Sequence, residues 1–482
     1  MSAGPLETWE GPEEAVADPG GNPMIEDLNV YYSTGDFAWI LMCSALVLLM
    51  VPGIGFFYSG LARRKSALAL IWLAFISTAV VGFQWFFWGY SLTFSHTGSA
   101  FIGDLSNFGL MKVLAQPSVG SSKLPDLLFC LYQGMFAALT PALAIGAAAD
   151  RGRMLPCIVF MFVWATIVYD PIAYWTWNGN GWSFKMGGLD FAGGTPVHIA
   201  SGAAALAYSL MLGKRTGYNK VNGLPYRPHN VTHVVLGTVF LWVGWFGFNG
   251  GSALAANLRA VMACLVTHIA AGVGGFTWCL LDYRLDKKWS TVGFCSGAIA
   301  GLVAITPAAG FVPPWAAVIF GVAGGILCNF ATKIKFLIGI DEPMDIFAEH
   351  GVGGIVGNLL TGIFATDYIA ALDGSSFGEN AIPGGWVNGN WIQFAHQLAD
   401  SVAGFSYSFV VTCLILFVMN LIPGLSLRVS AEEEEIGLDD AELGEFAYDY
   451  VEITRSVDST ATPAVGTSPP TSVKGVSAAE KA

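Results

Sequence analysis

Two histidines are set in long runs of apolar and small residues. His198 lies in the segment LDFAGGTPVHIASGAAAL and His350 in DIFAEHGVGGIVG. A titratable ring is costly in contact with lipid, so both rings should face protein or a pore. Imidazole can pass a proton near neutral pH and offers both a hydrogen-bond donor and an acceptor. The two segments therefore predict one shared pathway that handles protons inside a membrane.

The elements that must position these rings are membrane helices. Of 482 residues, 54% are hydrophobic and 12% are charged, against roughly a quarter charged in soluble domains. Apolar runs of about 20 residues, the length that crosses a bilayer, recur along the chain. The sequence predicts an all-α integral membrane protein with eleven transmembrane helices at 36–60, 67–93, 125–149, 154–174, 194–213, 230–250, 257–281, 291–308, 314–332, 344–365 and 394–425.

Basic residues give the orientation of these helices. With the N-terminus outside, the inner loops and the tail hold all of the 22 Lys and Arg except Lys112, Lys123, Lys185 and Arg259. Basic residues concentrate in cytoplasmic loops, so this asymmetry predicts an N-out, C-in topology.

The histidines fall on the fifth and tenth predicted spans, which run in opposite directions. This placement predicts an inverted repeat of spans 1–5 and 6–10, with the final helix outside the repeat. Transporters with such repeats commonly place their sites near the midplane, at the repeat interface. We expect His198 and His350 to meet there.

Three regions follow from composition. Residues 1–35 are acidic with no Lys or Arg, which is unlike a secretory signal and predicts an extracellular N-terminal tail. Residues 36–427 form the transmembrane domain. Residues 428–482 form a cytoplasmic regulatory tail, which after about residue 457 is rich in Ser, Thr and Pro and is predicted to be disordered.

Several chemistries find no support in the sequence. The eight cysteines lie in apolar runs without a CxxC pair, so we expect free thiols and neither disulfides nor zinc. No GxxxxGK[ST] motif occurs, and we predict no enzyme, no primary pump, no metal and no cofactor. A lone membrane histidine such as His268 is predicted to be a packing residue, as are His229 and His233. Asp170, before Pro171, is predicted to be a helix-end acid.

Five motifs together resemble the ammonium transporter (Amt/Mep/Rh) family. They are VPGIGFFYSG at 51–60, LDFAGGTPVH at 189–198, GWFGFNGGS at 244–252, CSGAIAGLVA at 295–304 and the segment 345–357. The likeness runs from about residue 36 to 450. The retained first histidine and the tail segment FAYDYVE at 446–452 are most similar to the high-affinity fungal Mep-type permeases.

The resemblance implies a homotrimer in which each subunit has its own pore. It implies an outer site recognising ammonium or methylammonium through Trp177, Ser252, Phe136 and Tyr132, where many bacterial relatives have Phe in place of the tyrosine. Phe136 and Phe248 match the stacked pair that closes the pore. A ring face attracts a cation by about 0.5–1 kcal/mol when exposed and about 2 or more when desolvated.

Beyond the phenylalanines, His198 and His350 match the twin histidines of the family's pore. Asp190 matches an acid that caps backbone amides and supports the outer site. A bare ammonium ion entering an apolar pore would lose several kcal/mol of hydration, and ammonia far less. We therefore expect ammonium to be deprotonated at the outer site, ammonia to pass the histidines, and the proton to follow along the pair. A passive ammonia channel and an ammonium sensor-receptor that signals nitrogen status are the alternatives.

The tail adds a regulatory prediction. Residues 437–450 resemble the family's tail, which docks beneath the subunits and couples them. Ser456, between Arg455 and Asp458, is a candidate phosphorylation site for a regulatory kinase, where phosphate would add about 1.5–2 negative charges beside an acidic segment. The predicted location is the plasma membrane.

Overall fold

Long apolar helices make up most of the chain in the computed structural model, which describes residues 21–218 and 227–448. Within these residues there is no β-strand, and nine helices are long and apolar enough to cross a membrane. We label the apolar helices α1 Thr34–Leu61, α2 Arg64–Phe94, α3 Asp126–Ala148, α4 Met154–Met186, α5 Gly194–Leu212, α6 Val231–Gly251, α7 Leu258–Asp286, α8 Thr291–Ile305, α9 Pro314–Ile338, α10 Phe347–Phe364 and α11 Ile392–Leu421.

Two of these helices differ from simple spans. Helix α8 is shorter than the other apolar helices, and α10 is followed by a helix at Asp367–Asp373 that turns away by 103°. The bent pair brings the number of candidate spans to ten if it counts as one. An all-helical membrane protein is confirmed, whereas the count of eleven, the orientation and the inverted repeat remain predictions.

Glycines let neighbouring helices approach closely. A methyl group at Gly237 in α6 would lie 2.8 Å from the Cα atom of Phe57 in α1, and one at Gly274 in α7 would lie 3.0 Å from the Cα atom of Gly301 in α8. A methyl group at Gly202 in α5 would lie 2.5 Å from the Cα atom of Gly351 in α10. Helices α1 with α6, and α5 with α10, are the pairs that the predicted repeat relates, and both pairs are in contact.

Buried ion pairs join the loops at one end of the helices, which we call the basic end. Arg215, after α5, pairs with Asp150, after α3, at 2.9 Å and with Asp341, after α9, at 2.7 Å. Arg63, after α1, reaches Asp150 at 3.3 Å. Burial works to raise the pKa of Asp341, but the hydrogen bonds and charge of Arg215 outweigh it and hold that pKa below its usual value. The loops that carry the predicted inner charges therefore meet.

The segment after α11 returns to the basic end and caps helices there. Its short helix Ala431–Ile436 begins with a capping box between Ser430 and Glu433. Asp439 accepts hydrogen bonds from two backbone N–H groups at the start of α2, at 3.1 and 2.8 Å, and Glu442 accepts one at the start of α4, at 3.0 Å. The first N–H groups of a helix have no partner within it, so these carboxylates hold the segment against two membrane helices.

Candidate functional site

The two histidines contact each other in the interior. The Nδ1 atoms of His198 and His350 are 3.1 Å apart, and both side chains are buried. Each lies in a π-helical turn, Gly194–Ile199 for His198 and Phe347–Val352 for His350. Such turns are rare and occur frequently at functional sites. A distance of 3.1 Å fits a shared N–H···N hydrogen bond, in which one ring donates and the other accepts.

Thr306, just after α8, determines which ring donates. Its hydroxyl donates to the Leu302 carbonyl at 2.8 Å and accepts from the indole N–H of Trp245 at 2.9 Å. The His198 Nε2 atom lies 3.3 Å from the same hydroxyl. Because the single hydroxyl hydrogen is used, His198 Nε2–H is the donor there, and a neutral His198 must accept at Nδ1. His350 Nδ1–H therefore donates to His198, and His350 Nε2 keeps a free lone pair.

A small cavity lies against this pair. It has about 20 Å³ of room for a water-sized molecule, enough for one such molecule. Its wall is apolar except at a few side chains, among them His198, His350, Tyr58 and Trp245. In the part of the chain that the structure describes, no group of three or more His, Cys, Asp or Glu side chains could hold a metal ion.

Two stacked phenylalanines lie beside the pair. The ring centroids of Phe136 and Phe248 are 4.3 Å apart with 27° between the ring planes, and both side chains are fully buried. The Phe248 centroid is 5.9 Å from that of His198, and the Trp245 centroid is 5.4 Å from it. The two stacked rings are therefore in mutual contact, fully buried, and adjacent to His198.

The other predicted recognition residues surround Phe136. Its ring centroid lies 5.0 Å from that of Tyr132 and 6.0 Å from that of Trp177. The Tyr132 hydroxyl lies 2.9 Å from the Phe248 carbonyl and 3.3 Å from the Ser252 hydroxyl. Ser252 itself donates to the Phe248 carbonyl at 2.8 Å. The Tyr132 hydroxyl also lies 3.0 Å from the Gly247 carbonyl. Both carbonyls lie near the end of α6, and a helix C-terminus carries partial negative charge, which favours a cation.

Asp190 joins the recognition residues to the His198 helix. Its carboxylate accepts hydrogen bonds from the backbone N–H groups of Gly193, Gly194 and Thr195 at 2.8, 2.8 and 2.7 Å. Its carbonyl accepts from the indole N–H of Trp177 at 3.2 Å. Gly193 has a φ of 117°, which an L side chain rarely adopts. Asp190 thus caps the turn that leads to His198 and is held away from the imidazole pair.

Other residues considered from the sequence lie elsewhere. His268 packs beside the rings of Trp242 and Phe246, and His229 and His233 lie at the basic end near the end of α1. Asp170 begins the α-helical segment Asp170–Trp177, which continues without a break from the π-helical turn Ala165–Tyr169, so it is a helix-start acid at a junction inside α4 and not at the end of the span. It is fully buried and accepts a hydrogen bond from a glutamine amide of α2 at 2.7 Å. Pro171 is among the first residues of the segment, where the missing N–H is tolerated. Ser456 lies outside the described residues.

Sequence reasoning missed Thr306 and gave Trp245 no role. Trp245 lies inside the 244–252 motif, so its position was a usable signal. Thr306 is one polar residue after an apolar helix, and nothing local distinguishes it. Only the contact between α8 and α5 reveals its role.

Known proteins similar to this chain are ammonium transporters. A sequence profile described as "Ammonium Transporter Family" matches residues 38–448. "Ammonium transporter 1" of Schizosaccharomyces pombe is 63% identical over 435 residues, which cover 90% of this chain and 86% of the relative. "Ammonium transporter MEP2" of Saccharomyces cerevisiae is 53% identical, covering 89% and 86%. The crystal structure of Saccharomyces cerevisiae Mep2 superposes with a TM-score of 0.83 and 52% identity, covering 90% of this chain and 96% of that one.

Proposed function

Since this chain belongs to the ammonium transporter family, we propose that it takes up ammonium and methylammonium across the plasma membrane. The observation that carries the proposal is the pair of buried imidazoles 3.1 Å apart, next to two stacked phenylalanines. This arrangement excludes hydrated ions while leaving groups that can exchange a proton. It does not resemble the rings of carbonyls or charges that select ions in channels.

Recognition takes place among Trp177, Phe136, Tyr132 and Ser252. Aromatic faces attract a weakly hydrated cation, and the carbonyls at the end of α6 add partial negative charge. Ammonium can donate up to four hydrogen bonds and methylammonium three, so the hydroxyls and carbonyls that now bond to one another are matched acceptors. Hard, strongly hydrated metal ions gain less from ring faces than they lose in hydration.

Ammonium gives up its proton before the phenylalanine pair, and ammonia continues alone. The apolar cavity imposes a penalty of several kcal/mol on a charged solute and little on a neutral one. Phe136 or Phe248 must swing aside to admit ammonia. Net charge still crosses, because the proton follows along the histidines.

The direction of the hydrogen bond between the histidines gives this relay an order. A proton moving inward reaches His198 Nε2, leaves His198 from Nδ1 for His350 Nδ1, and departs from His350 Nε2. This sequence ends with His198 protonated on Nε2 and His350 on Nδ1, the arrangement that the contacts of Thr306 favour. We therefore assign this arrangement to the end of a transfer, and both rings must exchange tautomers before the next one.

Assembly and regulation belong to the same proposal. We place the N-terminus outside and the basic end in the cytoplasm, with eleven spans and three copies per assembly. The acids Glu434, Asp439 and Glu442 tie the tail to helices α2 and α4 and to the α5–α6 loop. A kinase acting on Ser456 would add charge beyond this segment and shift the tail's hold on the helices.

Uptake of labelled methylammonium into proteoliposomes tests the function. We expect saturable uptake that ammonium competes away and that an equal concentration of potassium leaves unchanged. Trp177→Ala should raise the half-saturating concentration, because it removes a ring face from the outer site. Uptake that does not saturate, or that ammonium does not inhibit, would refute ammonium transport.

A further inference from the structure

A carboxyl group that the pathway does not use is buried in α11. The side chain of Asp400 is 3% exposed, in the interior of a helix long enough to cross the membrane. Ionisable groups at membrane depth are expensive, and those that occur are generally functional. Asp400 accepts from the Ser183 hydroxyl at 2.5 Å and from the Thr195 hydroxyl. Two hydroxyls from outside α11 therefore converge on one carboxylate.

The same group of bonds includes the helix that carries the second histidine. The Nδ2 atom of Asn358, in α10, lies 2.7 Å from the Thr195 hydroxyl oxygen and 3.0 Å from the Ser401 hydroxyl oxygen. It lies 3.4 Å from Asp400. We call Thr195, Asn358, Asp400 and Ser401 the polar node. The node joins α5, α10 and α11 through side chains that are all buried.

The node lies close to both histidines along their own helices. Thr195 is three residues before His198, in the same π-helical turn. Asn358 is eight residues after His350, which is about two helical turns. The Thr195 N–H also bonds to the Asp190 carboxylate at 2.7 Å. A bond between Thr195 and Asn358 therefore fixes how far each histidine helix can rotate or slide against the other.

The node is closely packed at Gly194. A methyl group at Gly194 would lie 2.6 Å from the Asn358 Oδ1 atom and 2.8 Å from the Cβ atom of Pro307. Such distances are shorter than real contacts, so the bare backbone at this position is what allows Asn358 to reach Thr195. The node is thus a closely fitted contact at the junction of the two histidine helices.

We propose that Asp400 is a positioning residue for the proton relay: through Thr195 and Asn358 it holds α5 and α10 at the separation that keeps His198 and His350 hydrogen-bonded. The inference rests on the proposed function, because the histidine hydrogen bond matters for transport only if protons pass along it. Asp400 orients the Thr195 hydroxyl hydrogen towards itself, which leaves the hydroxyl oxygen free to accept from Asn358. The two hydroxyls donate to different carboxylate oxygens, and an amide at position 400 would place an NH2 donor in front of one of them.

The test compares Asp400→Asn and Thr195→Val with Thr195→Ser and Ser408→Ala. Thr195→Val keeps the shape and removes the hydroxyl, whereas Thr195→Ser restores it. Ser408 is the matched control. Its hydroxyl also links α11 to α5, because it donates to the Ala200 carbonyl at 2.6 Å, but this bond involves none of the node residues. The primary readout is solid-state NMR of 15N-histidine protein in lipid, which detects the Nδ1–H···Nδ1 hydrogen bond. Methylammonium uptake is the second.

We expect the hydrogen-bond signal in wild type, Thr195→Ser and Ser408→Ala, and its loss in Asp400→Asn and Thr195→Val, with the folded state of every variant verified by thermal unfolding. Uptake should fall on the order of tenfold or more in the same two variants, since displacement of about 1 Å can cost that much. The inference would be overturned if Asp400→Asn and Thr195→Val both kept the hydrogen-bond signal, or if Ser408→Ala lost it to the same extent as they do. If the signal behaves as expected while wild type shows no histidine-dependent transport, the proposed function fails and the positioning role stands.

Discussion

The backbone contact between Gly202 and Gly351 should control the distance between the histidines. A methyl group in Gly202→Ala would lie 2.5 Å from the Gly351 Cα atom and 3.1 Å from the His350 carbonyl carbon, whereas ordinary contact begins at 3.4 Å. Neither helix backbone can rotate away as a flexible side chain would. The helices must therefore separate by about 1 Å, and overpacking of this kind typically costs 1–3 kcal/mol of stability.

This separation is enough to break the relay. The Nδ1 atoms, now 3.1 Å apart, would move to about 4 Å, beyond the range of a hydrogen bond. We expect ammonium-evoked current from Gly202→Ala proteoliposomes to fall on the order of tenfold to a hundredfold. Solid-supported-membrane recording measures this directly.

Gly82→Ala is the control. Gly82 is exposed on α2, and apart from its chain neighbours and the backbone of its own helix, no atom lies within 4 Å of the position of an added methyl group. Alanine there should gain up to about 1 kcal/mol of helix propensity and leave the current unchanged. Full current in a folded Gly202→Ala protein, with the histidine hydrogen bond intact, would refute the argument that helix contact sets the imidazole distance.

Three further predictions follow from the site and the basic end. Phe248→Ala removes the ring stacked on Phe136 at 4.3 Å, so we expect water to enter and ions to leak without ammonium, measured as liposome conductance. A membrane that stays impermeable to ions would show that the two rings are not the barrier. Tyr132→Phe removes a buried hydroxyl with three oxygen neighbours. It should lower the free energy of unfolding by about 0.5–1.5 kcal/mol and raise the half-saturating ammonium concentration. No change in either quantity would contradict the role of the hydroxyl. The pKa of Asp341 is lowered by Arg215 despite burial, so the ion pair stabilises the folded protein above the unfolded pKa of about 3.9, and this stabilisation is lost as pH falls towards the folded pKa. The unfolding temperature should therefore decline in that pH range, and the decline should be smaller in Asp341→Asn. Equal declines in wild type and variant would exclude the Asp341–Arg215 pair as the source.

Membrane class, the extents of most helices and the family could be predicted because they depend on local composition and motifs. Apolar length alone located α1 to α11 within several residues at most ends, and the family profile matches 38–448. The pairing of His198 with His350 was also predicted, because both lie in similar motifs that fall on the fifth and tenth predicted spans.

The contacts that tune the pair could not be predicted from local patterns. Thr306 and Asn358 each look like one polar residue in an apolar stretch, and Asp400 is one of several polar residues in the first half of α11. Their hydrogen bonds depend on which helix faces which. For Asp170, the local pattern was informative but incomplete. Asp-Pro predicted a helix end, and Asp170 does begin the segment Asp170–Trp177, but that segment continues from a π-helical turn inside the span, and a glutamine of α2 donates to one oxygen of the buried carboxylate. Long-range packing determined both outcomes.

The central claim is that net charge moves through the His198–His350 pair, and one measurement tests it most directly. Purified wild-type protein and His350→Ala are recorded on a solid-supported membrane after an ammonium jump, with folding verified for both. We predict a transient current in wild type that is lost in His350→Ala. An equal current in the variant would contradict the relay, and an ammonia flux without current in wild type would identify a passive ammonia channel instead.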